Sequence, residues 1–220
     1  MKHWHLLILA LIFFPLYTVQ ALEEKEYSLN RSWPHSGISR PGEPPETHIT
    51  LLGLTLGHHT IQDVEVKLGK HKHPVRADSH GKDYCYVAAD KTDKTKVLFG
   101  TGVMGSGENL LNFTLLSGQY RLPKKHACKI SLLVNKNLVV ANGVTLGMTK
   151  EQVLKLLGPS TRELNEDLFF EYEAETKRNS IEGVACTAIS STIIATFSES
   201  RLVALLAAKI PESIECPKQK

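Results

Sequence analysis

The sequence has little excess charge of either sign, few cysteines and, after residue 17, no long apolar run. Its 26 Lys and Arg residues against 23 Asp and Glu give a net charge of +3. That excess is too small to predict nucleic-acid binding, which usually needs a strongly basic face. No transmembrane segment is predicted beyond the N-terminal run, because a span needs about 20 apolar residues. The composition, 42% hydrophobic and 22% charged, is that of a globular protein.

Motifs that carry chemistry are also scarce. There is no Gly-x-Ser-x-Gly motif, no paired-carboxylate signature and no Cys-x-x-Cys. The glycines at 100, 102 and 105 match a dinucleotide fingerprint, but residues 110–116 are strand-like where that motif needs a helix, which favours a hairpin loop. Glu171, Glu173 and Glu175 alternate along one predicted strand face and are expected to be solvated. We therefore expect no enzymatic activity and no cofactor.

Residues 1–21 are typical of a secretory signal peptide. Lys2 precedes an apolar run over residues 6–17, and Val19 and Ala21 place small residues at the positions that signal peptidase recognises. A run of about a dozen residues is too short to span a membrane. The sequence predicts export to the periplasm or the exterior, with an uncleaved anchor as the alternative.

The four cysteines all lie beyond the signal segment, at Cys85, Cys128, Cys186 and Cys216. An even count in an exported chain favours disulfides over metal thiolates or a catalytic thiol. The sequence therefore predicts two disulfides.

After a polar, proline-rich segment at 22–48, which predicts a flexible linker, the chain repeats itself. A glycine-flanked Leu-Thr-Leu at 53–57 returns as Val-Thr-Leu at 143–147, and Thr60, Val64 and Gly69 return as Thr149, Val153 and Gly158. The repeats are predicted at 49–134 and 135–220. Because Cys128 and Cys216 both lie five residues after a proline, at equivalent ends of the repeats, we expect the pairs Cys85 with Cys128 and Cys186 with Cys216.

Each repeat is predicted to contain one short amphipathic helix and three strands. Thr149 and Gln152 form a capping box before an apolar stripe, and Gly158 ends the helix; Thr60 to Gly69 is its weaker copy. Strand-like runs follow at 84–89, 95–99 and 110–116, and again at 168–172, 192–197 and 202–209. The predicted fold class is α+β: two tandem repeats, each a helix packed on a three- to four-stranded antiparallel sheet.

The helix segment Gly143 to Pro159 resembles the signature of the SmpA/OmlA (BamE-type) outer-membrane assembly lipoproteins, and its doubling resembles the tandem-repeat β-lactamase inhibitor proteins. The resemblance implies a small exported protein that binds a protein partner of the cell envelope, in an assembly or inhibitor-like role. Two features depart from these families: no cysteine stands directly after the signal segment, where a lipid would be attached, and each repeat has its own cysteine pair.

The first repeat holds six histidines and a net charge of +5, whereas the second holds no histidine and a net charge of −1. We therefore expect an acidic partner to meet the first repeat at two basic segments, whose residues are His71, Lys72 and His73 in one and Lys124, Lys125 and His126 in the other. Evenly scattered, solvated charge is the alternative.

The His71 and His73 pair also allows an alternative function as a metal-binding envelope protein. A hydrolase with a site built from scattered residues is the third hypothesis.

Overall fold

The computed structural model describes residues 25–28, 37–78, 81–102, 108–123, 127–140, 142–180, 183–214 and 216. The predicted signal peptide and most of the loop at 102–107 lie outside these residues. The structure is mostly β, with 50% strand and 12% helix.

The described residues include two α-helices and one 3-10 helix: α1 (Ile61–Leu68), α2 (Lys150–Leu157) and the 3-10 helix Glu46–Ile49. The strands that precede α2 are β1 (Lys25–Glu26), β2 (Arg40–Pro41), β3 (Thr50–Leu51), β4 (Leu54–Thr55), β5 (Arg76–Asp78), β6 (Gly81–Ala88), β7 (Lys96–Thr101), β8 (Leu110–Leu116), β9 (Tyr120–Arg121) and β10 (Lys129–Ser131). Those that follow it are β11 (Arg162–Leu164), β12 (Asp167–Ser180), β13 (Gly183–Ser198) and β14 (Arg201–Ile214).

Both helices begin and end where the sequence predicts. Thr149 and Gln152 close a complete capping box on α2, and Thr60 closes one on α1 with Asp63 in place of Glu or Gln. Gly69 and Gly158 follow the last helical residues with φ of 92° and 80°, a backbone conformation that glycine adopts without strain.

The predicted fold class, two repeats that each have a small antiparallel sheet, is wrong, because the main strands form a single large sheet. Ten strands form one mixed sheet whose main path runs β10-β6-β7-β8-β14-β13-β12-β11, with β2 beside β12 and β5 beside β6. The join is an antiparallel pair between β8 and β14, from Ala204 opposite Leu116 to Ala208 opposite Asn112. In two separate small sheets, β8 and β14 would each leave an unpaired edge, and their pairing removes both edges.

Equivalent contacts recur in the two parts of this sheet. The Gly57 N–H donates to the carbonyl of Leu110 over 2.8 Å, and the Gly147 N–H donates to the carbonyl of Leu202 over the same distance. Leu51 and Val140, which precede the two helices, pair with each other. The boundaries of the two repeats remain a prediction.

Two short strands, one before each α-helix, pair with a long strand that follows the other helix. Strand β2 precedes α1 but pairs in parallel with β12, where Arg40 lies opposite Tyr172. Strand β10 precedes α2 but pairs in parallel with β6, where Lys129 lies opposite Tyr86. Residues 37–48, in the segment predicted as a linker, thus contain a strand of the main sheet, and β1 in the same segment pairs with β9.

Both helices pack on one face of the sheet. Val64 and Leu68 of α1 and Val153 and Leu157 of α2 are buried in a single cluster with Tyr86, Phe99, Phe113, Phe170, Ile193 and Leu205 of the strands. The opposite face carries two smaller clusters, one of which contains Cys85, Leu98 and Tyr120 and the other Phe169, Ile194 and Leu206. Among the described residues, no helix has the length and apolar character needed to cross a membrane.

The predicted disulfides are confirmed. Cys85 in β6 is bonded to Cys128, with 4.6 Å between their Cα atoms, and Cys186 in β13 is bonded to Cys216, with 5.0 Å. Each bridge fastens a strand of the main sheet to a segment that follows the last long strand of its part. Cys85 and Cys186 are both buried.

Candidate functional site

His71 belongs to the loop that follows α1, and its ring turns toward the sheet. Its Nε2 lies 3.0 Å from the carbonyl oxygen of Cys85, and its ring meets those of Tyr84 and Tyr86 edge-on, with centroids 5.9 and 5.7 Å away. Strand β5 covers residues 81–83 on this side of β6, and β10 covers residues 86–88. The His71 ring therefore lies at the gap between β5 and β10, within hydrogen-bond distance of the Cys85 carbonyl, which neither strand covers.

The rest of that loop faces solvent. Lys72 and His73 are exposed, as is the neighbouring Lys70, so the structure separates His71 from the two residues beside it that were expected to meet a partner. Lys124, Lys125 and His126 lie outside the described residues. Partner binding by the two basic segments stays a prediction.

A metal site on these histidines finds little support in the geometry. The Nε2 atom of His71 is already within hydrogen-bond distance of a backbone carbonyl. The described part of the chain contains no group of three or more His, Cys, Asp or Glu side chains that could hold a metal ion.

Arg76 and Asp83 form a charged pair at one end of the helix-free face. Arg76 Nε donates to Asp83 Oδ2 over 2.6 Å, and the two side chains are only 15% and 9% exposed. Burial raises the pKa of the Asp83 carboxyl, and the hydrogen bond and charge of Arg76 oppose that rise. Gly100, directly opposite Asp83 on the neighbouring strand β7, leaves room for this charged pair, because a Cβ there would lie 2.4 Å from Asp83 Oδ1 and 2.3 Å from Asn112 Nδ2. Gly100 lies in β7, which pairs antiparallel with β8, a strand at the place where the dinucleotide motif needs a helix. Residues 103–107 of the predicted hairpin loop lie outside the described residues.

The second buried carboxylate, Glu171, lies at the opposite end of the same face. Its Oε2 is 3.9 Å from Arg162 Nε and accepts a hydrogen bond from the Thr161 hydroxyl over 3.3 Å. The expectation of a solvated acidic face is wrong for Glu171, which is 5% exposed, and holds for Glu173 and Glu175, which are exposed. Five strand spacings of about 4.8 Å separate Asp83 from Glu171. They are therefore too far apart to act as a catalytic pair, which needs carboxyls within about 10 Å.

An open hollow of about 480 Å³ lies where β2 meets β12 and β13, lined in part by Pro41, Glu173, Glu175 and Ser190. Exposed carboxylates on its wall would favour a cation, but no second feature of the hollow points to a ligand.

No protein-family model, no curated protein and no solved structure matches this chain.

The strongest surface feature is a group of exposed aliphatic side chains at one edge of the sheet. Ile130, Leu132 and Leu133 are 67%, 87% and 43% exposed, and Lys129 beside them donates from Nζ to the carbonyl of Lys70 over 2.7 Å. We call residues 129–133, which comprise β10 and the first two residues of the turn after it, the β10 edge. Its sequence, Lys-Ile-Ser-Leu-Leu, contains three aliphatic residues within four positions, which indicates an apolar segment. A run this short does not show whether the segment is an exposed edge or a core strand.

Proposed function

We propose that the chain is an exported protein that acts by binding a protein partner of the cell envelope, in an assembly or inhibitor-like role. The two disulfides support export, because such bonds persist in oxidising compartments. The observation that carries the proposal is the exposed aliphatic group at the β10 edge, since contiguous exposed apolar side chains commonly mark contact surfaces.

The charge distribution favours an acidic partner. Residues 49–134 carry 12 Lys and Arg against 7 Asp and Glu, and residues 135–220 carry 10 against 11. Lys70 and Lys72 of the first part are exposed. A positive surface would mainly raise the association rate with an acidic protein and make that rate sensitive to salt.

The test is a pull-down from envelope extract with the disulfide-bonded mature chain, followed by calorimetry with the purified retained protein. A saturable complex of fixed stoichiometry supports the function. Lys72→Glu should slow association several-fold at low salt, whereas Lys155→Glu, at a lysine on α2 that is also exposed, should change it little. Retention of no protein beyond what an unrelated disulfide-bonded protein retains would contradict the proposal.

A further inference from the structure

We propose that the β10 edge is a docking site for an extended segment of a partner protein, which adds to the sheet as one more strand and carries aliphatic and acidic side chains. This inference rests on the proposed function and specifies the surface, the binding mode and the chemistry of the partner.

The position of β10 provides the backbone part of the site. Strand β10 is the last strand on its side of the main sheet, and its one strand partner among the described residues is β6. An end strand leaves backbone N–H and C=O groups on its outer side, and an extended peptide can pair with them.

The equivalent edge across the molecule is closed to such pairing. Strand β2 pairs with β12 beside Tyr172 as β10 pairs with β6 beside Tyr86. However, β2 contains Pro41, and Pro44 and Pro45 follow it, whereas residues 124–158 contain no proline. Proline lacks the N–H that an added strand requires and is a common means of blocking an edge. Within the part of the chain that the structure describes, one of the two equivalent edges is thus blocked by proline and the other has no strand on its outer side.

Side chains at the β10 edge indicate what the added segment carries. Ile130 on the edge strand, with Leu132 and Leu133 in the turn that follows it, exposes apolar surface that isolated soluble proteins usually avoid at a sheet edge, so aliphatic side chains on the partner would cover it. Ile130 lies opposite the half-buried Val87 of β6, which extends the apolar surface onto the sheet.

Charge around the β10 edge favours acidic side chains between those aliphatics. The exposed Lys70 lies beside it, since its carbonyl accepts a hydrogen bond from Lys129 Nζ. Lys72, two residues further along, and Lys136, just after the β10 edge, are also exposed. The nearby carboxylates of Glu65 and Asp93 accept hydrogen bonds from the backbone N–H groups of His71 and Lys136. A protein segment fits these observations better than a lipid surface does, because lipid tails offer no partner for backbone N–H and C=O groups.

The probes are fluorescein-labelled octapeptides, one alternating Val with Glu, one alternating Val with Lys and one alternating Ser with Glu. We expect fluorescence anisotropy to show binding of the Val-Glu peptide to the disulfide-bonded chain, weaker at high salt, and about tenfold weaker or undetectable binding of the other two. Amide shifts in the NMR spectrum should concentrate at residues 129–133 and along the adjacent part of β6.

Two matched pairs of variants localise the site. Ile130→Glu should weaken Val-Glu binding about tenfold, whereas Ile38→Glu, at the blocked edge and similarly exposed at 62%, should change it less than about twofold. Leu132→Ser should weaken binding, whereas Val66→Ser on α1, exposed at 88% against 87% for Leu132, should not. Circular dichroism of all four variants should match that of the unmodified chain.

The inference is overturned by absence of Val-Glu binding, by equal effects within a matched pair, or by shifts that map elsewhere. Binding to phosphatidylglycerol vesicles that is lost in Ile130→Glu, without peptide binding, would make the β10 edge a membrane contact instead. A partner from the pull-down that binds Ile130→Glu as tightly as the unmodified chain would remove the edge inference and leave the proposed function intact.

Discussion

Arg76 and Asp83 place opposite charges where water has little access. Because Arg76 also donates to Asp78 over 2.8 Å, it is removal of Arg76 that leaves a buried charge, the Asp83 carboxylate, without the cation that opposes its burial. Because burial raises the pKa of Asp83, the folded chain binds this proton more tightly than the unfolded chain. Its contribution to the free energy of unfolding therefore falls as pH rises from the ordinary aspartate pKa through the raised one. Arg76 limits that loss, and without it the pKa of Asp83 would rise further.

Arg76→Met should accordingly lower the free energy of unfolding by about 3 kcal/mol at neutral pH, because a buried charge loses its partner. The loss should shrink as pH falls through the raised pKa of Asp83, where the carboxyl becomes neutral. Urea denaturation at neutral and at acidic pH measures both effects.

Arg121→Met is the control, since Arg121 and Glu26 are 3.9 Å apart with both side chains more than half exposed. This variant should lower the free energy of unfolding by less than about 0.5 kcal/mol. Equal losses in the two variants, or a loss that grows toward acidic pH, would contradict this account.

His71 shows why the residues of the candidate site were only partly predictable from the sequence. The sequence predicts a basic segment at His71, Lys72 and His73 that meets a partner, and of these Lys72 and His73 are exposed. The inward turn of His71 depends on a gap between β5 and β10, two strands from distant parts of the chain. No local spacing can report such a gap, because it exists only after the sheet has formed.

At the level of elements, helix α2 tests the predicted packing face most directly. Leu157→Asp should lower the free energy of unfolding by several kcal/mol, because Leu157 is 2% exposed within the main cluster and an unpaired carboxylate there loses its hydration. Lys155→Asp, on the exposed side of the same helix, should cost less than about 1 kcal/mol. Thermal unfolding followed by circular dichroism measures both variants, and equal shifts of the melting temperature would refute the assigned face.

The helices and the six main strands were predictable because capping residues and apolar periodicity are local. Strands β1 and β2, with two residues each, are too short to show periodicity. The outer parts of β12 and β13 are rich in Glu, Thr and Ser and lack the apolar alternation that marks a half-buried strand. These outer parts are strands because β12 and β13 pair antiparallel along their whole length, from Asp167 opposite Thr196 to Ser180 opposite Gly183. The predicted runs at 168–172 and 192–197 cover only the apolar parts and are therefore shorter than the strands.

At the scale of the whole molecule, the sequence repeat predicted equivalent parts but not their fusion. A pattern of apolar residues indicates which face of β8 or β14 is buried, but edge-to-edge pairing between the two strands uses backbone groups, which every sequence has. The run at 202–209, apolar on both faces, is typical of a central strand and was the one local sign.

The continuous sheet and the reciprocal crossing of β2 and β10 predict that the two parts unfold together. Val64 and Val153, one from each helix, are both fully buried in the same cluster, so a cavity at either site weakens a core that both parts share. Val64→Ala and Val153→Ala should each shift a single transition to lower temperature by several degrees, with the calorimetric enthalpy equal to the van't Hoff enthalpy. Two resolved transitions, one of which moves in Val64→Ala and the other in Val153→Ala, would show that the β8 and β14 join does not couple the parts. In that case β2 and β10 would not make the two parts unfold as one cooperative unit.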